Sequence, residues 1–513
     1  MEHLDKYAVT VQPGRPRTTR FSSLTNAGAG AERVVYASTL ANMEIALRGR
    51  FNLVKTADGQ WCDPPRPEPM EWDKRSKAFW KRLRKFRRFR LDPMTKEQFI
   101  NTLVGSKRTA YTNALLNLEQ QGLLPWHTVV RLFLKKEKQA MKGLLFPIPR
   151  VIRPMAMEYN LELGVYIKPL EKLVYKMLGE MMGGPSVSKG MDAFRQAAVS
   201  KDKLDRLESS FGKVFIQSWD IAKFERCVSV DCHEALTTIM CKLVNGVKES
   251  RKLRRLLEKQ YRVRFVAEMV DGKIKFNCVG TLCSGVMNTS LWAVVLMFIA
   301  LIGVGDDLGL RPGIDYDIFS AGDDTNTFVP AKHVKKFIDA VPPAFLKLGF
   351  YVTLDNCTSS YEHMDFCQTR PVYDGTDWRL VREPTNARGK DVLFIHDLTN
   401  KKAWDKARGS IADCGLALCY GLPVMQSFYL YLGRGLDLAA AKRNEDSGFG
   451  RLAHGRVARV QPVTVEARVS FWEAFGVTPS HQVALEELYD AQELQWRKPS
   501  EVLTSIKYDQ IFE

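Results

Sequence analysis

The sequence lacks a hydrophobic run long enough to cross a bilayer. The longest apolar stretch, Leu291–Val304, falls short of the roughly 20 residues that a spanning helix needs and predicts a buried helix. The first residues also lack the basic-then-apolar pattern of a secretory signal. We therefore expect a protein that is not secreted and that reaches membranes peripherally or through a partner.

Paired cysteines are also missing. The ten cysteines are scattered, and none forms a Cys-x-x-Cys pair, so the pattern predicts free thiols in a reducing cytosol. Cys357, His363 and Cys367 are metal-ligand types, but their spacing fits no standard zinc pattern. We interpret these cysteines as core thiols.

Acidic residues are fewer than basic ones: the chain has 58 Asp and Glu and 75 Lys and Arg, which gives a formal net charge of +17. An excess of this size favours a polyanionic partner, with nucleic acid first and an acidic membrane surface second. A basic surface without a partner explains the same charge. With 513 residues, 45% of them apolar, the chain is long enough for a large core and more than one domain.

The patterning predicts short strands that alternate with helices. Residues 1–70 indicate an extended segment with one helix near Ser38–Arg48, and residues 96–145 indicate helices with a cap at Thr95. The basic run Lys81–Arg90 fits either a solvated helix face or a phosphate-binding patch with interleaved aromatics. The predicted strands are Val214–Trp219, Tyr316–Ser320 and Thr327–Val329, and the predicted helical segments are Cys232–Val244, Thr289–Ile302, 392–440 and 463–495.

Two carboxylate clusters follow predicted strands. Asp323 and Asp324 adjoin Gly322 between two strands, as at the tip of a hairpin, where adjacent carboxylates repel unless a cation offsets them. An ordinary exposed turn explains the same pattern. The tripeptide recurs at Gly305–Asp307 behind an apolar helix, where we predict a solvated loop. Asp220 ends another predicted strand, so it can face a hairpin tip across a sheet edge.

Polar groups between and before these clusters suit a nucleotide. Ser284 and Asn288 are short side chains able to hydrogen-bond a ribose hydroxyl, although a helix N-cap at Asn288 or Thr289 explains them equally. Upstream, 133–138 and 147–154 carry lysines and arginines able to clasp a triphosphate. Carboxylates from separate strands can hold the two Mg²⁺ ions that nucleotidyl transfer requires.

In this order the motifs resemble the RNA-dependent RNA polymerases of positive-strand RNA viruses, most closely the tombusvirus and carmovirus group, over roughly residues 96–435. The likeness runs from Pro149–Pro154 with Tyr159–Gly164 (motif F) through Asp220–Glu225 (A), Ser284–Thr289 (B), Gly322–Asp324 (C) and Leu346–Phe350 (D) to Phe366–Gly375 (E). The chain departs from that group at Glu225, where aspartate is usual, and in 281–284, where a basic residue is often present. Lys347 matches motif D only loosely.

The resemblance implies an α+β right hand with fingers, a palm built on an antiparallel sheet of RRM-like topology, and a mainly helical thumb. It divides the chain into an N-terminal extension with a fingertip-type segment (1–95), fingers (96–212 and 237–280), palm (213–236 and 281–385) and thumb (386–513). The implied activity is replication and transcription of a positive-strand RNA genome from NTPs. Two alternatives are another right-hand polymerase, such as a reverse transcriptase, and a non-catalytic RNA-binding viral protein. The first would call for a bulky aromatic gate near Asp220, and the second leaves the ordered carboxylates unexplained.

The resemblance also implies site residues and partners. The catalytic residues would be Asp220, Asp323 and Asp324, which with Ile221 would bind two Mg²⁺ ions, or Mn²⁺ as a substitute. Nucleotide and ribose contacts are expected from Glu225, Ser284, Asn288, Thr289, Lys138, Arg150 and Arg153. RNA contacts are expected from Lys135, Lys136, Gly285 and Lys189, and Lys347 is a candidate general acid. The expected partners are template and product RNA, NTPs, another viral replicase protein and host membranes, at replication complexes in the host cytoplasm.

Overall fold

The computed structural model describes residues 7–14, 19–25, 33–55, 60–141, 146–395, 398, 400–444, 447–496 and 500–502. Parts of the predicted N-terminal extended segment and the last residues of the predicted helical C-terminal region lie outside the described residues. The fold is mixed helix and sheet, in agreement with the predicted α+β class.

The helices in these ranges are α1 (Leu40–Leu47), α2 (Glu71–Leu83), α3 (Lys96–Asn101), α4 (Gly105–Gln121), α5 (Met157–Met181), α6 (Ala193–Phe211), α7 (Phe224–Cys227), α8 (Val230–Leu243), α9 (Val247–Glu258), α10 (Thr289–Asp307), α11 (Ala331–Lys347), α12 (Pro384–Asp391), α13 (Lys401–Cys419), α14 (Met425–Gly433), α15 (Gly448–Leu452), α16 (Val465–Phe475) and α17 (Pro479–Ala491). A π-helical turn follows α1 at Arg48–Asn52, and 3₁₀ turns lie at Arg84–Phe86 and Pro125–Thr128.

The strands are β1 (Ala8–Val11), β2 (Thr19–Ser23), β3 (Arg33–Val34), β4 (Val54–Lys55), β5 (Trp61–Cys62), β6 (Val130–Leu134), β7 (Gln139–Ala140), β8 (Val151–Ile152), β9 (Val214–Ile221), β10 (Arg262–Met269), β11 (Gly272–Val279), β12 (Asp317–Ser320), β13 (Thr325–Pro330), β14 (Val352–Thr358), β15 (Thr369–Tyr373), β16 (Trp378–Arg382), β17 (Leu393–Phe394) and β18 (Ser500–Val502).

A four-stranded antiparallel sheet carries both predicted carboxylate clusters. Its strand order is β12-β13-β9-β14, and β12 and β13 are buried along their whole length. Ser320 pairs with Thr325, and Thr325 in turn pairs with Trp219. The loop between β12 and β13 therefore lies beside Asp220, which follows Trp219 in β9.

The apolar helix α10 lies in the largest core, buried from Leu291 to Gly305. By length and composition it could cross a membrane, but 83% of its apolar window is buried in the protein, which agrees with the predicted buried helix. The predicted solvated loop at Gly305–Asp307 is wrong, because these residues end α10. Their carboxylates pair with α2: Arg75 lies 2.5 Å from Asp307, and Arg82 pairs with Asp306.

The predicted helical segment 96–145 is only partly correct. Thr95 caps α3 in a reciprocal capping box with Gln98, and α4 follows. Val130–Leu134 instead forms β6, with alternating buried and exposed side chains typical of a strand that is buried on one face. It joins a five-stranded sheet of order β1-β11-β10-β6-β8, in which β6 runs parallel to β10.

A second core lies among the C-terminal helices. Trp404, Leu416, Phe428 and Phe471 are buried there, on α13, α14 and α16. This agrees with the predicted helical character of 392–440 and 463–495.

Candidate active site

The loop that carries Asp323 and Asp324 is held by hydrogen bonds at its base. Thr325 Oγ1 donates to the Gly322 carbonyl (2.7 Å), and the Ala321 amide donates to the Asp324 carbonyl (2.8 Å). Gly322 has a φ of +118°, a backbone angle that residues other than glycine rarely adopt. The sequence Ser-Ala-Gly-Asp-Asp-Thr therefore folds into a fixed turn that presents two adjacent carboxylates at its tip.

A cavity of about 580 Å³ brings most of the predicted catalytic elements together. Its lining includes Asp220 at the end of β9, Asp323 on the hairpin and Ile221. Four predicted nucleotide residues also line it: Glu225, Ser284, Arg150 and Arg153. Carboxylates thus face cations across one cavity, although the elements that carry them are far apart in sequence.

The carboxylates repel one another. Burial raises the pKa of Asp220 above its ordinary value, and the charges of Asp355 and Asp323 raise it further. Burial, then Asp323, then Asp220 raise the pKa of Asp324, which Cys367 and Lys189 partly offset. A bound cation would relieve this repulsion.

The donor set suits Mg²⁺, which takes oxygen ligands and keeps waters and substrate phosphates in its coordination shell. No group of three His, Cys, Asp or Glu side chains among the described residues is close enough to hold an ion unaided. The shared cavity of Asp220 and Asp323 fits an ion completed by water and nucleotide phosphates. Ile221 has a buried side chain, and its backbone N–H lowers the pKa of the Asp220 carboxyl.

Arg153 links three segments of the chain at the cavity wall. Its guanidinium pairs with Glu225 and donates to Thr281 Oγ1 (3.0 Å), while its backbone N–H donates to Ser284 Oγ (3.2 Å). Burial raises the pKa of Glu225, and Arg153 opposes that rise. Arg153, predicted to bind nucleotide, therefore already has protein partners.

The structure does not bring Asn288, Thr289 or Gly285 to the cavity lining. Asn288 is fully buried; its Oδ1 accepts from Gln260 Nε2 (3.0 Å), while its buried Nδ2 has no partner among the described residues. It occupies the N-cap position of α10, but its side chain makes no capping hydrogen bond. Thr289 Oγ1 donates to the Cys283 carbonyl (2.6 Å). A Cβ on Gly285 would lie 2.6 Å from Pro154 Cα, so Gly285 allows close backbone packing.

The predicted lysines occupy different surroundings. Lys135 pairs with Glu137 (2.6 Å), and Lys136 is exposed. Lys138 Nζ donates to the carbonyls of Leu393 (2.6 Å) and Lys390, where burial lowers its pKa to about 8. These hydrogen bonds of Lys138 connect the residue before β7 with the C-terminal end of α12 and the strand that follows it. Lys138 does not line the cavity.

Lys189 and Lys347 differ in their distance from the carboxylates. Lys189 is exposed, and its charge lowers the pKa of Asp324. Ser188 fixes that position because its amide donates to the Ser320 carbonyl beside the hairpin (2.9 Å). Lys347 is the last residue of α11 and does not line the cavity, so the structure does not bring this candidate general acid to the carboxylates.

The cysteines near this site differ from the prediction. Cys357 and Cys367 are exposed, so their interpretation as core thiols is wrong. Although Cys367 is exposed as a residue, its thiol is partly shielded from water by surrounding protein atoms, and this shielding raises its pKa to about 12. The same thiol lowers the pKa of Asp324. Positive φ angles at Cys367 and Gln368 turn the chain back on itself and place this thiol at the hairpin.

Sequence reasoning missed several residues of the site. Arg50, Lys223 and Arg226 line the cavity, and Asp355 acts on Asp220 from β14. Asp355 lies where the β14–β9 register shifts between Leu354 and Cys357, as in a β-bulge, which re-aims side chains. The proximity of Arg226 to Glu225 in the sequence was the one available signal.

The basic run Lys81–Arg90 begins in α2 and continues past its end. Arg82 is paired with Asp306, and Arg88 lies 3.2 Å from Glu180. Phe86, Arg88 and Phe89 border a groove of about 260 Å³ against α5. The run is therefore more than a solvated helix face, and its role as a phosphate patch stays a prediction.

Comparison with known proteins agrees with this geometry. Residues 7–497 match the family described as viral RNA dependent RNA polymerase. The chain is 30% identical over 480 residues to the RNA-directed RNA polymerase of Oat chlorotic stunt virus, covering 90% of this chain and 62% of that protein. It is 30% identical over 508 residues to that of Tobacco necrosis virus (strain A), covering 96% and 67%, and 29% identical over 486 residues to that of Turnip crinkle virus, covering 93% and 60%.

The chain spans about half to two thirds of the length of the curated relatives it matches. The family match covers nearly the whole chain, including both carboxylate clusters and the cavity between them. By this match, the chain belongs to the viral RNA-dependent RNA polymerase family.

Proposed function

We propose that this chain is a viral RNA-dependent RNA polymerase that joins ribonucleotides on an RNA template to replicate and transcribe a positive-strand genome. The observation that carries the proposal is the cavity shared by Asp220 and Asp323 with a wall of arginines. Carboxylates can hold metal ions at the reacting phosphate, while arginines neutralise a triphosphate.

The proposed organisation is a right hand. The palm comprises 213–236 and 281–385. Its sheet has the strand order β12-β13-β9-β14. The strands that come first and third along the chain, β9 and β13, are therefore neighbours, which supports an RRM-like sheet. The fingers comprise 96–212 and 237–280, with 1–95 as an N-terminal extension. The helices α13, α14, α16 and α17 support a helical thumb in 386–513.

The chemistry assigns roles to the cavity residues. Asp220 and Asp323 would hold two Mg²⁺ ions, or Mn²⁺, with Asp324 and the Ile221 carbonyl in support. The bound ions would supply charge stabilisation at the attacking 3′-hydroxyl and the pyrophosphate leaving group. Arg150 faces the cavity and binds the triphosphate, whereas Arg153 orients Glu225.

The positions of the polar and basic residues relative to the cavity suggest which of them contact the sugar and which contact the template. Glu225 and Ser284 line the cavity and read the ribose, while Asn288 supports them from the core. Template sequence is read by base pairing, so Lys189, Lys135 and Lys136 contact the RNA backbone and binding weakens with salt. We further propose action in the host cytoplasm at membrane-associated replication complexes, together with another viral replicase protein.

The test is templated synthesis by the purified chain from an RNA template, four NTPs, and Mg²⁺ or Mn²⁺. Asp323→Ala should abolish product, because it removes a metal-binding carboxylate. Asp306→Asn is the matched control, since it alters the first aspartate of the other Gly-Asp-Asp sequence, 305–307, which lies outside the cavity lining. An inactive wild type across broad conditions, or an Asp323→Ala variant as active as the wild type, would refute the proposal.

A further inference from the structure

The N-terminal segment contributes a cation to the cavity. Arg50 lies in the π-helical turn Arg48–Asn52 and lines the same cavity as Asp220 and Arg150. Single π-helical turns occur frequently at functional sites. This turn is far from every motif of the family resemblance in sequence, so its place in the cavity comes from tertiary packing.

The turn is anchored on the segment that carries Arg150. Arg50 Nε donates to the Ile148 carbonyl (3.0 Å), and a Cβ on Gly49 would lie 2.6 Å from Ile148 Cδ1. Phe51 is 5% exposed and packs edge-on against Phe265 (5.2 Å between ring centroids). The Arg50 side chain is therefore held on the cavity wall by contacts on both sides of it.

The Phe51 ring also organises two further arginines. The guanidinium of Arg153 lies 5.5 Å from its centroid, and that of Arg226 lies 5.6 Å from it. These distances are typical of cation–π contacts. One buried ring thus contacts two cations that come from 153 and 226.

Arg50 lacks an anionic partner among the described residues. Its Nε donates to a carbonyl, and no carboxylate among those residues forms an ion pair with it, whereas Arg150 pairs with Glu137 (3.5 Å) and Arg153 with Glu225. Burial and the like charge of Arg150 both lower the pKa of Arg50. A guanidinium in this position gains strongly from a polyphosphate, which it can bind in a bidentate manner.

We propose that Arg50 binds the triphosphate of the incoming nucleotide and that Phe51 is a positioning residue for Arg153 and Arg226. The inference rests on the proposed polymerase function for its substrate, but the polyanion site itself can be tested without synthesis. It extends the nucleotide site to a segment that the sequence motifs leave unassigned.

The first experiment measures binding of inorganic tripolyphosphate to the purified chain by calorimetry. Arg50→Gln keeps a side-chain N–H for the Ile148 carbonyl and removes the charge, so it should weaken binding roughly tenfold, as for the loss of a charged hydrogen bond. Arg50→Lys should weaken it less. Arg48→Gln, on the same turn but outside the cavity lining, is the matched control. Equal affinities for Arg50→Gln and Arg48→Gln would overturn the proposal.

The second experiment separates KM from kcat in templated synthesis. Arg50→Gln should raise the KM for NTPs roughly tenfold with kcat within about threefold of the wild type. Phe51→Tyr should retain the wild-type KM, whereas Phe51→Leu should raise it, because the ring is lost. Equal KM values for the two Phe51 variants would overturn its positioning role. An inactive wild type that still binds tripolyphosphate through Arg50 would refute the polymerase function and leave the anion site standing.

Discussion

The Arg153 guanidinium pairs with the Glu225 carboxylate on the wall of the cavity that Asp220 and Asp323 share. The side chain of Arg153 is 7% exposed and that of Glu225 is 32% exposed. The pair connects the residue after β8 with α7, and the Arg153 backbone extends the connection to Ser284. One ion pair thus holds together the regions that resemble motifs F, A and B.

Removing Arg153 should therefore destabilise the fold. Arg153→Met leaves the partly buried Glu225 carboxylate without its partner. We expect a loss of about 3 kcal/mol in the free energy of unfolding, the lower end of the range for a broken buried pair, because Glu225 is partly exposed. Arg150→Met is the control, because its pair with Glu137 is more exposed and should be worth less than about 1 kcal/mol. Urea denaturation checks both, and equal losses would contradict the prediction.

Glu225 should contribute to the choice of sugar. It lines the cavity with Ser284, and a site built to hydrogen-bond a hydroxyl rejects a substrate that lacks it. Glu225→Ala should reduce the preference for ribo- over deoxyribonucleotides by about tenfold in kcat/KM, the loss of one charged hydrogen bond. Glu137→Ala changes a carboxylate outside the cavity and should leave that ratio unaltered. Unchanged discrimination in Glu225→Ala would show that the ribose assignment is wrong.

The sequence predicted the parts of the site that local pattern encodes. β9, α10 and the hairpin around Asp323 follow from apolar strands, a continuous apolar helix and a glycine turn, all signals within a few residues. The α+β class was implied by the family resemblance, and the observed mixture of strands and helices agrees with it. The resemblance then supplied the order of the clusters and so distinguished Asp323 from Asp306.

Long-range contacts account for the errors. The helical prediction failed at β6 because that strand is stabilised by parallel pairing with β10, far along the chain. Arg50 contacts Ile148 across 98 residues, and Lys138 contacts Leu393 across 255. Asp306 was predicted to be solvated because its partner Arg82 lies 224 residues away. No local pattern reveals such partners.

Gly285 should tolerate no side chain. A Cβ there would lie 2.6 Å from Pro154 Cα, and neither backbone can yield easily. Gly285→Ala should cost about 1–3 kcal/mol of stability, as overpacking does, and should lower templated synthesis because Ser284 moves with it. Gly184→Ala is the control, since a Cβ at Gly184 meets nothing within 4 Å. Thermal unfolding and synthesis assays measure both effects, and a Gly285→Ala variant as stable and active as Gly184→Ala would disprove the clash.

The carboxylate repulsion should make the metal-free protein sensitive to pH. Burial and neighbouring charges raise the pKa of Asp220 and Asp324 in the folded state, so folding there favours the protonated forms. When the pH is above these raised pKa values, the two charged carboxylates lower the stability of the folded state. When the pH is below the ordinary aspartate pKa, this destabilisation disappears.

Asp220→Asn should therefore stabilise the metal-free chain at pH 7, with the difference from the wild type shrinking as the pH falls towards 4, near the ordinary aspartate value. At pH 7, Mg²⁺ should make the wild type more stable than the variant, because the ion binds the folded wild type more tightly. Asp377→Asn, on an exposed turn away from the cavity, is the matched control. Unfolding curves with Mg²⁺ and with chelator check this, and a wild type more stable than Asp220→Asn in chelator at pH 7 would show that the carboxylates do not repel as described.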